Sequence, residues 1–157
     1  EKDNSYRSIL DDITLSNGMG WSPDAQYFYY IDSIPGVLKR FHYDLYTGHI
    51  SNPKDLITFD SSSGIPDGMS MSSDGKIVVA LWDGGRIEIY EPSGEKVSEI
   101  TLGVSRPTSC TFAGPNRDIL IVSTASQGID QADEPLAGKI LAVTGTGLSG
   151  LPTQQYG

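Results

Sequence analysis

Short apolar runs separated by turn residues mark this chain from end to end. Tyr27–Ile31, Val37–Tyr43, Leu56–Phe59, Ile77–Trp82, Arg86–Tyr90, Val97–Leu102, Thr108–Phe112, Ile119–Val122 and Lys139–Val143 each read as a strand, and Tyr6–Leu10 reads as a shorter one. Arg86-Ile87-Glu88-Ile89-Tyr90 alternates charge with apolar bulk, the period-two signature of a half-buried antiparallel strand. Ser22-Pro23-Asp24-Ala25, Thr47-Gly48, Ser73-Asp74-Gly75, Asp83-Gly84-Gly85 and Pro92-Ser93-Gly94 supply the turns. Asp60–Gly64 reads as a loop and Gly128–Pro135 as a polar excursion. No stretch sustains an apolar 3.6-residue period with caps, so almost no helix is expected.

The pattern repeats. Asn17-Gly18-Met19-Gly20-Trp21-Ser22-Pro23-Asp24 and Asp67-Gly68-Met69-Ser70-Met71-Ser72-Ser73-Asp74 are versions of one unit, 50 residues apart. Thr108-Ser109-Cys110-Thr111-Phe112-Ala113-Gly114-Pro115-Asn116 is a third copy, 41 residues further on. Periods of this size belong to stacked supersecondary units, propeller blades among them. The expected fold is all-β: a β-propeller, of which this chain holds about three four-stranded blades, near 11–60, 61–103 and 104–150.

Propellers close a ring of four to eight blades. Three alone leave two apolar faces bare, at about 25 cal/mol per Å². An N-terminal half-propeller, from the same protein or another chain, completes the ring most simply, because an independent half needs complementary edges of its own. The other completion is a homodimer, which brings two Asn17 and two Asp67 to one axis.

Composition changes this picture little. The 157 residues carry 18 Gly and 9 Pro, which suits a turn-dense β protein. The formal charge is −9, and no Lys/Arg cluster exceeds the pair Lys39-Arg40, so nucleic acid is not an expected partner. No apolar run reaches a membrane span, so no membrane partner is expected. Cys110 has no second cysteine to pair with and reads as a small buried side chain. Glu1–Ser5 shows no signal-peptide pattern; the compartment stays open, with the cytoplasm favoured.

Ser16-Asn17-Gly18-Met19-Gly20-Trp21-Ser22-Pro23-Asp24 followed by Tyr30-Ile31-Asp32-Ser33 resembles a motif of the SMP-30/gluconolactonase/luciferin-regenerating-enzyme-like (regucalcin-like) family. So do Gly64-Ile65-Pro66-Asp67-Gly68-Met69 and Arg106-Pro107-Thr108-Ser109-Cys110-Thr111-Phe112-Ala113-Gly114-Pro115, with Ala113 where that family usually has Gly. Thr144–Gly150 is similar to the end of its last blade. The resemblance covers the family's C-terminal half. It implies a six-bladed propeller with one divalent metal on the axis, calcium or zinc and possibly manganese or magnesium, and hydrolysis of a small-molecule lactone or ester. It carries the metal ligands onto Asn17 and Asp67, and the base role onto Asp67. The family's Glu ligand and its substrate-contacting Arg and Asn come from the first half, whose motifs are not in this sequence.

Read from their own chemistry, Asn17 offers a neutral oxygen and Asp67 an anionic one, at strand starts that a propeller turns toward its axis. Ca²⁺ takes 6–8 oxygens, so two side chains need help from water and from the missing half. Zn²⁺ takes fewer ligands, usually with His or Cys, and neither His42 nor His49 falls at a repeated position. Spacing alone also fits a plain turn role for Asn17-Gly18 and Asp67-Gly68. Thr108 and Ser109 hold the same repeat position and either bind substrate or line a wet channel. Trp21 and Trp82 are expected in packing. Gly145-Thr146-Gly147-Leu148-Ser149-Gly150 mimics a dinucleotide fingerprint, but Leu151-Pro152-Thr153 opens no helix after it. A non-catalytic metal-binding or interaction propeller is the rival to the hydrolase.

Overall fold

A computed structural model of the chain describes residues 6–152. The first sheet runs β1 (Ser16–Trp21), β2 (Tyr27–Asp32), β3 (Val37–Tyr43), β4 (Ile50–Thr58) in sequence order. The second runs β5 (Ile65–Met71), β6 (Ile77–Trp82), β7 (Arg86–Tyr90), β8 (Lys96–Thr101) in the same way. The third holds β9 (Pro107–Ala113), β10 (Ile119–Thr124) and β11 (Ile140–Val143). Every pairing is antiparallel. Each sheet is a meander whose first strand lies innermost, and β1, β5 and β9 stand side by side. A Cβ placed on Gly18 would come within 2.8 Å of the Met69 nitrogen, and one on Gly68 within 2.7 Å of Ser109 Cα. Only glycine lets neighbouring sheets approach so closely there.

Apolar layers between the sheets hold them together. Tyr29, Ile31, Leu38 and Ile57 of the first sheet meet Met69, Met71, Ile77, Val79, Leu81 and Tyr90 of the second. Val78, Ala80, Ile87 and Ile89 on its other face meet Cys110, Leu120 and Val122 of the third. β6 is thus covered on both faces, which is why it reads as an unbroken apolar run. Burial pushes the Cys110 thiol up to about 12, so it behaves as an inert core side chain.

Four sequence expectations need correction or refinement. Tyr6–Leu10 forms no strand, because no neighbouring strand offers it hydrogen bonds. Instead Leu10 and Ile13 cover Phe28, Tyr30 and Phe41 on the outer face of the first sheet. The third sheet has three strands among the described residues, not four. β4 starts at Ile50, well before Leu56, although Ser51–Asp55 is polar and contains Pro53. An edge strand tolerates both: one side faces water and lacks ladder bonds, and two register shifts interrupt its pairing with β3. The helical content among the described residues is one 3₁₀ turn, Ser61–Ser63, capped by the Asp60 carboxylate accepting from the Ser62 N–H at 2.9 Å.

Trp21 sits half-exposed against Phe28 and Tyr43, with ring centroids 5.1 and 5.8 Å away. Trp82 lies under the Arg106 guanidinium at 4.9 Å. Residues 144–152 form no helix after Gly145–Gly150; Thr153 lies outside the described residues.

Candidate functional site

All three inner strands carry an irregularity at the same repeat position. In β1 the register jumps between Ser16–Asp32 and Met19–Tyr30, so Asn17 and Gly18 together oppose Ile31. In β5 it jumps between Pro66–Leu81 and Met69–Val79, so Asp67 and Gly68 together oppose Ala80. In β9 Thr108 is inserted between the Pro107–Thr124 and Ser109–Ser123 pairs. A bulge re-aims a side chain that the regular pleat would send into the sheet face, and bulges gather beside active sites. The repeated polar residues are therefore the bulged ones.

Asn17 and Asp67 belong to adjoining bulges. A Cβ on Gly18 would lie 2.9 Å from the Asp67 carbonyl oxygen. Ser33, 2 % exposed, ties them together: its hydroxyl donates to the Pro66 carbonyl at 2.6 Å and accepts from Asn17 Nδ2 at 2.9 Å. With its one proton given to Pro66, Ser33 can only accept from Asn17. That fixes the carboxamide with nitrogen toward Ser33 and leaves Oδ1 as the open acceptor. Asp32 supports the same corner, accepting from the Thr14 and Leu15 N–H groups at 3.0 and 2.9 Å.

Asp67 is half-buried, and burial alone raises its carboxyl to about 6. No hydrogen bond or cation among the described residues opposes that rise. A desolvated carboxylate without a counter-charge is costly, and a bound cation beside a carboxamide oxygen would relieve it. The donor set, carboxylate plus amide oxygen, fits a hard cation such as Ca²⁺ better than zinc. The described residues contain no group of three His, Cys, Asp or Glu side chains able to hold a metal, so Asn17 and Asp67 offer two oxygen donors and not a complete cage.

Thr108 and Ser109 form the adjoining wall. The Thr108 hydroxyl pairs with Ser123 Oγ at 2.7 Å, and the Ser109 side chain lies against the bare Cα of Gly68. His42 packs edge-on to Tyr27 at 5.2 Å and takes no part. A cavity of about 850 Å³ is lined by Trp21, Met71, Phe112 and Leu151 among others, with no carboxylate among its lining residues.

Sequence reasoning missed the bulges and the Ser33 relay. Ser33 was present in the Tyr30–Ser33 motif, and the break in alternation at Asn17-Gly18 and Asp67-Gly68 was the signal for a bulge.

A family model described as SMP-30/Gluconolactonase/LRE-like region matches residues 1–126. Regucalcin of Oryctolagus cuniculus is 37% identical over 158 residues, covering 98% of this chain and 53% of its own length. A solved luciferin-regenerating enzyme superposes with a TM-score of 0.80 at 33% identity, over 89% of this chain and 48% of that one. A regucalcin from Agrobacterium tumefaciens, described as a calcium-binding protein, superposes with a TM-score of 0.85 at 24% identity, over 91% of this chain and 50% of that one. The chain spans about half the length of the curated relatives it matches.

Proposed function

The chain belongs to the SMP-30/gluconolactonase/LRE-like family, and we propose that, in a closed ring, it is a metal-dependent hydrolase of small lactones or esters of the gluconolactonase kind. One pair of observations supports this reading: adjoining bulges carry Asn17, whose Oδ1 is left as an open acceptor, and Asp67, whose half-buried carboxylate has no counter-charge among the described residues. Asn17 and Asp67 hold the ion, with further oxygens from water and from the rest of the ring. Calcium suits these donors best, and zinc, manganese and magnesium are the alternatives. When bound, the divalent ion supplies charge that polarises the substrate carbonyl.

The chain's own residues do the rest. Asp67 accepts the proton of the attacking water through a carboxylate oxygen left free of the ion. The water oxygen then bonds to the carbonyl carbon, the ring C–O bond breaks, and the departing oxygen takes the proton back. Ser33 keeps the Asn17 amide from rotating, and Thr108 and Ser109 wall the space beside Asp67.

The test is acid release from an aldonolactone with Ca²⁺, Zn²⁺ or Mn²⁺ added in turn. Turnover that needs the metal and vanishes in Asp67→Asn supports the hydrolase. A second reading, a non-catalytic metal-binding propeller, is favoured by the two-donor set, which holds no complete metal cage among the described residues. Metal binding without turnover decides for it.

A further inference from the structure

The two wedges between neighbouring sheets differ in chemistry. Between the second and third sheets, Ile87, Ile89 and Ile100 meet Leu141 and Val143, and apolar side chains fill the space. By strand alternation the other face of β7 turns Arg86, Glu88 and Tyr90 toward the first sheet. There a cavity of about 430 Å³ remains, with Leu56 and Phe59 on one side and Arg86, Glu88, Tyr90 and Lys96 on the other. That volume lies in the range of small-molecule sites. Both walls belong to four-stranded sheets of described residues, so the cavity does not depend on what closes the ring. Asn17, Asp67, Thr108 and Ser109 are not among its lining residues.

Backbone closes both ends of the cavity. Asp60–Gly64 crosses from the first sheet to the second, and a Cβ on Gly64 would lie 2.7 Å from Gly84 Cα. At the other end the turn between β7 and β8 presses Gly94 on β4, where a Cβ would lie 2.7 Å from the Leu56 carbonyl oxygen. Inside, one buried carboxylate serves two cations. Glu88 Oε1 accepts from Arg86 Nε at 2.9 Å and from Lys96 Nζ at 2.5 Å, and Oε2 accepts from the Tyr90 hydroxyl. The second negative charge comes from Glu99, whose Oε2 stands 2.8 Å from Lys96 Nζ and 3.6 Å from Arg86 Nε. Its side chain is 45% exposed, and an ion pair that exposed is weak. Asp60, also on the rim, is committed to the Ser62 N–H at 2.9 Å. Beside the cations, the Phe59 and Tyr90 rings meet edge-on with centroids 5.8 Å apart, and Leu56 packs on the same cluster.

We infer that this cavity is a binding site for a small carboxylic acid with an aromatic or aliphatic body. The ligand carboxylate takes the place of Glu99 on Lys96 and Arg86, where a charge-assisted hydrogen bond away from water is stronger than the exposed pair it replaces. The body lies against Leu56, Phe59 and Tyr90. The fold itself does not require charge here, since the matching wedge on the other face of β7 is packed with apolar side chains.

Phenylacetate titrated into the purified chain, followed through its amide nitrogen–proton spectrum, tests this directly. The expected result is saturable movement of the signals of Leu56–Phe59, Arg86–Tyr90 and Lys96. Phenylacetamide lacks the charge and acetate lacks the ring, so each should bind roughly tenfold more weakly or worse. Glu99→Gln removes the competing carboxylate at an exposed position and should tighten phenylacetate by a few fold. Lys96→Met should weaken it roughly tenfold, with dispersed signals elsewhere showing that the variant is folded. Movement confined to other residues, equal binding of the amide, or unchanged affinity in either variant overturns the inference. The cavity shares no residue with Asn17 and Asp67, and no metal is added, so failure here leaves the proposed hydrolase standing and the reverse holds too.

Discussion

The Asn17 carboxamide donates to the Ser33 hydroxyl at 2.9 Å, and that hydroxyl donates in turn to the carbonyl of the residue before Asp67. The relay spans two sheets. It couples the orientation of one proposed ligand to the backbone that carries the other.

Ser33→Ala should expose that coupling. It strands the Asn17 amide nitrogen and the buried Pro66 carbonyl, at a cost of about 1–3 kcal/mol. The Asn17 amide is then free to flip, so calcium affinity should fall as well. Urea denaturation and calorimetry measure the two effects separately.

Gly68→Ala should destabilise the fold by about 1–3 kcal/mol through overpacking. The added methyl overlaps the Ser109 side chain and lies 2.7 Å from Ser109 Cα. Ser109→Gly in the same chain should recover only part of the loss, because the backbone of residue 109 still crowds the new methyl. A double-mutant cycle by chemical denaturation reads the coupling.

Two carboxylates pull acid stability in opposite directions. Asp67 is raised from 3.8 to about 6, so its contribution to stability is lost as pH rises through about 6. For Glu88, 4% exposed, burial pushes the carboxyl up. Hydrogen bonds from Lys96, Tyr90 and Arg86 outweigh burial and hold it below its ordinary 4.5. Its contribution is lost as pH falls below that range. Between 4.5 and about 6 the loss at Asp67 outweighs what Glu88 still adds, so the metal-free protein should have its stability optimum on the acid side of that window. Asp67→Asn should stabilise it above pH 6 and move the optimum toward neutrality. Urea midpoints across the pH range check the sign.

Glu88→Gln should cost about 1.5–3 kcal/mol at pH 7, since it removes the charge that Arg86 Nε meets at 2.9 Å and Lys96 Nζ at 2.5 Å. Calcium binding should not change, because Glu88 lies on β7, away from the inner strands. Thermal denaturation and calorimetry on the same preparation check both halves.

The strands were legible because alternation and turn residues coincide at β2, β3, β5, β6, β7 and β9. The failures have local causes. Tyr6–Leu10 has strand composition, but a strand exists only beside another, and the described residues offer it none. The first half of β4 hides in a polar run because an edge strand faces water. Repetition together with the family resemblance singled out Asn17 and Asp67, and repetition singled out Thr108. Their common bulge lies in register, which composition does not encode. Ser33 escaped because its role depends on a carbonyl 33 residues away.

The proposed activity depends on Asn17 and Asp67 together holding a divalent cation. Calorimetric titration of calcium into the purified chain and into its Asn17→Ala and Asp67→Asn variants tests it most directly. A saturable heat is expected in the parent chain, lost in Asp67→Asn, weakened in Asn17→Ala, and fading below about pH 6 as Asp67 takes up its proton. Equal calcium binding in all three proteins would contradict it.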